Sequence, residues 1–459
     1  MTVTWHEMSA LALGRGIESG EIDPRALAEY FLDRIAAADP DNMIYLRTTA
    51  ARARKEAEAA HARAEAGLRF SPLDGVPISW KDLYYTAGDV TSHGSPVLAD
   101  RVPEKDAPVV ERAGRAGLVC LGKTNQTEYA FSILGINPHY GTPPNPFDKK
   151  TPRLPGGSSS GGGVSVSRGL AAAAIGSDTG GSVRVPSAWN GLVGLKTSFG
   201  RLPLDGVLPL STTLDTVGPL THDVADAAAL FSVLDGRAGP GTPAWVDIGD
   251  AAPQALRLAR PTSTVWEALG DDVSAVAEAA VAKLAAAGAS VADIETPEFT
   301  EVDQLISHFG PYHAAECHAV WGEAIEAKPN LVYGPILERI RLGGTMKAST
   351  VERTKHGLRA AADKLHARMR EAGVLVMPTV PISPPPIAEL ENDLEAWTAA
   401  NAVVLRNTRL GNFLDCCAVT LPCGLDANGV PVGLMLMAPS GDDERLLRLA
   451  AAAEAVLTA

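Results

Sequence analysis

Pro155-Gly-Gly-Ser-Ser-Ser-Gly-Gly-Gly163 and, one short apolar run later, Gly176-Ser-Asp-Thr-Gly-Gly-Ser-Val-Arg-Val-Pro186 are the stretches on which the reading of this chain turns. They hold two serine-bearing glycine turns, with Ser158 and Ser182 placed 24 residues apart. A glycine turn lets several main-chain N–H groups and a hydroxyl converge in one small volume. Acyl transfer needs that equipment for its nucleophile and its oxyanion. Lys81, at the end of the apolar stretch 75–80, is a third candidate member of the same chemistry.

On composition alone the first run reads equally as a flexible Gly/Ser linker. The small apolar residues 164–175 that follow at once favour a turn packed inside a domain. The second turn lies between a strand-like stretch, 170–176, and a helix-like one after Ser182. Such a strand, turn and helix start gather N–H groups around a hydroxyl, and the helix N-terminus favours negative charge there. A phosphate loop would use the same geometry, but neither Gly-x-x-x-x-Gly-Lys-Ser/Thr nor Gly-x-Gly-x-x-Gly is present. A serine nucleophile also needs a base, and no motif pairs any of the ten histidines with these turns. Lysine serves when burial brings its pKa down from about 10.4 toward neutrality. A strand-end lysine reaching out to solvent is the competing reading of Lys81, and the residues alone leave both open.

Outward from these turns the chain alternates helices and strands, the rhythm of a layered α/β domain. Asp23 followed by Pro24 marks a helix start, with Leu27, Tyr30, Phe31 and Ile35 at helical spacing. A second helix is expected over about 48–66, a buried strand over 75–80, a helix over 107–116 and a strand over 118–122. Residues 137–153, rich in Pro, Asn and Gly, read as a long surface loop. From about 224 to 370 the chain is Ala-rich and helical, with a helix over 271–287 and a strand-like stretch over 289–293. Strands over 373–378 and 430–437 and a helix from Asp443 return the chain to a sheet.

Composition narrows the function class. With 459 residues and 46% apolar content the chain buries a large core, and it is not a disordered protein. A formal charge of −14 without a basic run argues against nucleic acid as a partner. Cys120, Cys317, Cys416, Cys417 and Cys423 show no metal-ligand spacing and read as reduced, buried thiols. The N-terminal residues lack the pattern of a secretory signal, and the longest apolar run is too short for a bilayer. A cytoplasmic location, with no membrane partner, is the default expectation.

Together the segments Leu73-Asp-Gly-Val-Pro-Ile-Ser-Trp-Lys-Asp82, Gly122-Lys-Thr-Asn125, the two glycine turns, Asn190-Gly-Leu-Val-Gly-Leu-Lys196, Gly200-Arg-Leu-Pro203 and Leu421-Pro-Cys-Gly-Leu-Asp-Ala-Asn-Gly-Val-Pro-Val-Gly433 resemble the amidase signature family. The resemblance covers most of the chain outside roughly 225–370. It implies a single α/β/α domain over 1–459 with a central mixed sheet surrounded by helices, in which 225–370 is a variable helical region at the substrate pocket. It also implies a Ser-cisSer-Lys amidohydrolase working without metal or cofactor. In that scheme Ser182 is the nucleophile, Ser158 the bridging serine after a cis peptide, and Lys81 the base. Thr179, Gly180, Gly181 and Ser182 would supply the oxyanion hole, with Asp178 and Arg184 bracing the turn. The family's commoner Gly-Gly-Ser-Ser-Gly-Gly-Ser is altered here at Ser160 and Gly162, so the choice of Ser158 rests on its spacing from Ser182.

For the substrate, the apolar loop containing Tyr129, Ala130, Phe131 and Ile133 is a candidate pocket wall, with Phe309, Tyr312, Trp321 and Tyr333 opposite. No charged residue stands out as a carboxylate clamp, which favours neutral amides, anilides or carbamates (urethanase or esterase activity) over amino-acid amides. Water is the second substrate, and a monomer or homodimer is expected. Two alternatives compete: the glutaminase component of a tRNA-dependent amidotransferase complex, and a catalytically silent binding protein on the same scaffold.

Overall fold

The computed structural model describes residues 4–239, 242–243, 245–249 and 252–459. Met1–Val3, part of the stretch read for a secretory signal, and five residues of 225–370 lie outside the described residues.

Strands, many of them without a single exposed residue, make the frame around which everything else is arranged. In order they are β1 (Tyr45–Thr48), β2 (Pro77–Lys81), β3 (Val119–Thr124), β4 (Ala173–Asp178), β5 (Val193–Lys196), β6 (Thr216–Thr221), β7 (Ala238–Gly239), β8 (Thr242–Pro243), β9 (Arg257–Pro261), β10 (Ser290–Ile294), β11 (Val374–Pro378), β12 (Cys416–Leu425) and β13 (Pro431–Pro439). Apart from the small β7–β8 pair, they join one 11-stranded sheet in the order β1-β3-β2-β4-β6-β5-β12-β13-β11-β9-β10. The trios β3-β2-β4 and β11-β9-β10 are parallel, and every other neighbour is antiparallel. Every residue of β2, β3, β4, β6 and β13 is buried, so both faces of the sheet are covered by other parts of the chain. A single α/β domain with a mixed sheet is thus the observed architecture, with 14 α-helices among the described residues.

The helix Pro24–Ala38 starts where the sequence marks it, with the Asp23 side chain accepting from Arg25 N at 2.8 Å. Residues 225–370 are mainly helical, as expected, and they also supply β9 and β10 to one end of the sheet.

The first glycine run departs from its reading as one continuous turn. It ends at Ser159, and Ser160–Ser167 is a helix with glycine at 161, 162 and 163. Glycine is disfavoured in a helix by about 1 kcal/mol relative to alanine, so the sequence reads as loop. Close packing explains its use. A Cβ on Gly161 would sit 2.3 Å from Ile44 O and 2.6 Å from Asn125 N, so only a bare backbone lets this helix start against the ends of β1 and β3.

Candidate active site

Because β2 and β4 are parallel neighbours, their carboxyl ends leave the sheet at the same edge, the place where α/β sheets collect ligands. Lys81 is the last residue of β2 and is fully buried. Its Nζ donates to Ser158 Oγ at 2.7 Å and to Ser177 Oγ at 2.9 Å. Burial brings its pKa down to about 7, against the pull of Asp215 and Asp178 toward the charged form. The lysine therefore does not reach solvent, and it holds a neutral amine in substantial fraction near pH 7.

Three consecutive serines, two in the first turn and one opening the helix after it, have three different partners. Ser158 is the one bonded to Lys81, and the Gly157–Ser158 peptide is cis. Its carbonyl accepts from Thr127 N at 3.1 Å, while Gly157 N donates to Ile133 O at 2.6 Å. Ser159 Oγ donates to Ser182 O at 2.5 Å and ties the first turn to the second. Ser160 Oγ donates to Asn125 O at 3.4 Å at the start of the helix.

The second turn is built around a buried ion pair. Asp178 ends β4, and its carboxylate accepts from Arg184 Nη2 at 2.8 Å and Nε at 3.0 Å, from Gly181 N at 2.8 Å and from Val183 N at 3.1 Å. Asn412 Nδ2 adds a bond at 3.0 Å, and Arg184 in turn donates to Asn412 Oδ1 at 2.6 Å. Burial works against charge on Asp178, but Arg184 outweighs it and holds the carboxyl well below the usual carboxylate range. Gly181 has φ +136°, and a Cβ there would lie 2.2 Å from Thr408 Oγ1, so no other residue fits. The four N–H groups assigned to an oxyanion hole are not equivalent. That of Gly181 is engaged by Asp178, while Thr179, Gly180 and Ser182 line a cavity of about 410 Å³.

Of the loop residues expected at the substrate, Ala130, Phe131 and Ile133 line this cavity. Tyr129 lies behind them, fully buried, with its ring edge-on to His93 at 5.4 Å between centroids and 5.7 Å from Trp321. Phe309, Tyr312, Trp321 and Tyr333 are not among the lining residues. Their segment instead offers Ile306, His313, Leu342 and Arg339, and the helix Leu394–Phe413 offers Trp397, Asn401 and Arg409.

Arg339 changes the electrostatics of the pocket. Its Nη1 donates to Phe131 O at 2.8 Å, and its guanidinium sits 4.8 Å from the Phe131 ring centroid and 5.4 Å from that of Trp397. Among the described residues no carboxylate pairs with it. Burial lowers its pKa to about 10, which leaves it cationic at neutral pH. Arg409, by contrast, is paired with Asp303 at 2.7 Å. Sequence reading missed Arg339 and Asp215, because nothing adjacent in sequence distinguishes them from other arginines and aspartates; it also passed over Ser177, although that serine stands inside the second glycine motif. Among the described residues no group of three or more His, Cys, Asp or Glu side chains is placed to hold a metal ion, and no helix is long and apolar enough to cross a membrane.

A buried lysine bonded to one serine, beside a glycine turn whose own serine lines an apolar cavity, fits a hydrolase of carbon–nitrogen bonds, and comparison with known proteins agrees on that class. The family model Amidase matches residues 26–447, and the chain belongs to the amidase signature family. It is 37% identical over 438 residues to the 2-amino-5-chloromuconic acid deaminase of Comamonas testosteroni, covering 95% of this chain and 93% of that one. It is 31% identical to the A component of the glutamyl-tRNA(Gln) amidotransferase of Synechococcus sp. (strain RCC307), over 95% of this chain and 94% of that one. A crystal structure of an amidase superposes with a TM-score of 0.87 at 30% identity, covering 98% of this chain and all of the other.

Proposed function

We propose that the chain hydrolyses the C–N bond of a small, carboxylate-bearing amide through an acyl-enzyme on Ser182. The observation that carries the mechanism is the 2.7 Å bond from a buried Lys81 to Ser158. Neutral Lys81 takes the hydroxyl proton of Ser158 while Ser158 takes that of Ser182, and Ser182 Oγ bonds to the substrate carbonyl carbon. The carbonyl electron pair moves onto oxygen, where the N–H groups of Thr179, Gly180 and Ser182 stabilise it; losing one such donor typically costs about 10²–10³ in rate. Collapse breaks the C–N bond as the proton returns through Ser158 to the leaving nitrogen. Water then adds to the acyl ester by the same relay, releasing the acid and restoring Ser182. Asp178 and Arg184 brace the turn and take no part in proton transfer.

Arg339 supports the substrate class: of the charged lining residues Arg409 is paired with Asp303 and Glu338 is not bonded to Arg339, so this guanidinium keeps donors for an anionic group, and a carboxylate matches its fork. This revises the sequence-based preference for neutral amides, anilides and carbamates. The 37% identical relative is likewise named for an acid. Hydrolysis of glutaric acid mono-4-nitroanilide with a higher kcat/KM than 4-nitroacetanilide is the expected result, and preference for the neutral anilide would sink the assignment. The full-length likeness to the A component of amidotransferases favours glutamine amide hydrolysis within a complex as a second reading; a stable heteromeric complex on affinity purification from the native host, with glutaminase activity confined to it, would establish that.

A further inference from the structure

Two buried carboxylates at this sheet edge favour the charged form of Lys81 without bonding to it, and they are not alike. Asp178 is neutralised by Arg184 at 2.8 Å. Asp215, the residue before β6 and 4% exposed, is held by neutral donors alone. Its Oδ1 accepts from Thr179 Oγ1 at 2.5 Å, and its Oδ2 accepts from Leu210 N at 2.9 Å and Ser211 N at 3.1 Å. Thr179 and Leu210 both line the cavity, so one carboxylate clamps two of its walls to the head of β6. The next residue, Thr216, fastens the same turn a second time, donating Oγ1 to Asp178 O at 2.9 Å.

We propose that Asp215 is a positioning residue for the hydrolysis: it anchors the Thr179 end of the oxyanion turn and supplies the negative charge, uncompensated by any arginine, that acts on Lys81. This rests on the role given to Lys81 above. Attraction between the two favours the protonated lysine, so Asp215 sets how far toward neutral pH the base becomes available. Burial in turn pushes the Asp215 carboxyl up to about 6, so it remains anionic at pH 7. Besides the Asp178–Arg184 ion pair, the titratable groups that act directly on Lys81 or Asp215 are uncharged there. Burial lowers His93 to about 3, and it raises Tyr84, Tyr312 and Cys317 well above neutrality. Glu316, which faces Tyr312, is paired with Lys355 at 2.7 Å.

The rate at which an alkyl fluorophosphonate labels the full-length enzyme, followed against pH, tests this without knowing the natural substrate. Asn at 215 keeps the shape, its carbonyl oxygen accepting from Leu210 N and Ser211 N and its amide donating to Thr179 Oγ1. D215N is expected to move the acid limb of the labelling profile down by about one pH unit, because one charge acting on the lysine is gone. T179V keeps the charge and cuts the anchor. It is expected to slow labelling about tenfold or more at every pH with the limb in place, and T179S to restore the rate. An acid limb unmoved or raised in folded D215N overturns the proposal. If D215N does not fold, T179V decides: wild-type labelling overturns it, and a slowed rate rescued by T179S supports it. Wild-type enzyme that takes no label on Ser182 would instead refute the Ser182–Lys81 reading itself.

Discussion

The sheet edge carrying Lys81, Ser158 and Ser182 and the cavity wall opposite it, drawn from residues 306–342 and 394–413, are built by opposite means. At the sheet edge, function follows from main-chain geometry: parallel strands end side by side, glycines remove side chains where backbones touch, and Asp178 with Arg184 fixes a turn from within six residues. The wall is made of side chains on helices far apart in sequence, among them Arg339, Trp397 and Asn401. A site divided this way can keep its chemistry while its substrate changes. Substitutions at the edge should therefore lower kcat or unfold the protein, and substitutions in the wall should move KM and preference.

The largest effects are expected at the edge. S182A and K81A should each lower kcat at least about 10³-fold, with the fold retained by circular dichroism. Activity left intact in either variant would refute the edge as the catalytic region. In the wild type, kcat/KM should fall about tenfold per pH unit below about pH 7, since burial places the Lys81 pKa there and the protonated amine cannot act as base. Next comes the ion pair. R184M leaves Asp178 buried without its cation and should cost about 3–5 kcal/mol in denaturant unfolding.

Smaller and different in kind is the wall. R339M should raise KM for glutaric acid mono-4-nitroanilide by about 10–100-fold, the worth of a charge-assisted hydrogen bond, while leaving kcat and the hydrolysis of 4-nitroacetanilide nearly unchanged. A fall in kcat for both substrates would erase the distinction between the two regions. Smallest in scope is G161A. Helix propensity alone favours alanine by about 1 kcal/mol, yet the 2.3 Å approach to Ile44 O predicts a lower melting temperature instead.

The same division explains what could be read in the sequence. Asp178, Ser182 and Arg184 stand in one short motif whose residues act on one another, whereas Lys81 and Ser158, 77 residues apart, are legible only because their motifs resemble those of a known family; the strands of Lys81 and Asp178 lie within a few residues of their expected places. The expected strand before the second turn ends at Gly176, although β4 reaches Asp178 and so puts the ion pair at the strand end itself. The helix at Ser160–Ser167 was hidden because its glycines serve tertiary approach rather than helix formation. β1, β5 and β6 gave no separate signal, being short, and β12, although ten residues long, runs straight into the turn that leads to β13. Arg339 and Asp215 were illegible for a different reason: each owes its significance to groups more than 30 residues away, Phe131 for one and Thr179 for the other. The aromatic residues chosen for the opposite wall followed hydrophobicity, and Trp321 went instead to the packing behind Tyr129.

Mass spectrometry after trapping with an alkyl fluorophosphonate at pH 7 tests the central claim most directly. A single adduct on the peptide carrying Ser182, abolished in S182A and strongly slowed in both K81A and S158A, is the predicted result. An adduct on any other residue, or labelling of Ser182 at the wild-type rate without Lys81 or Ser158, would contradict it.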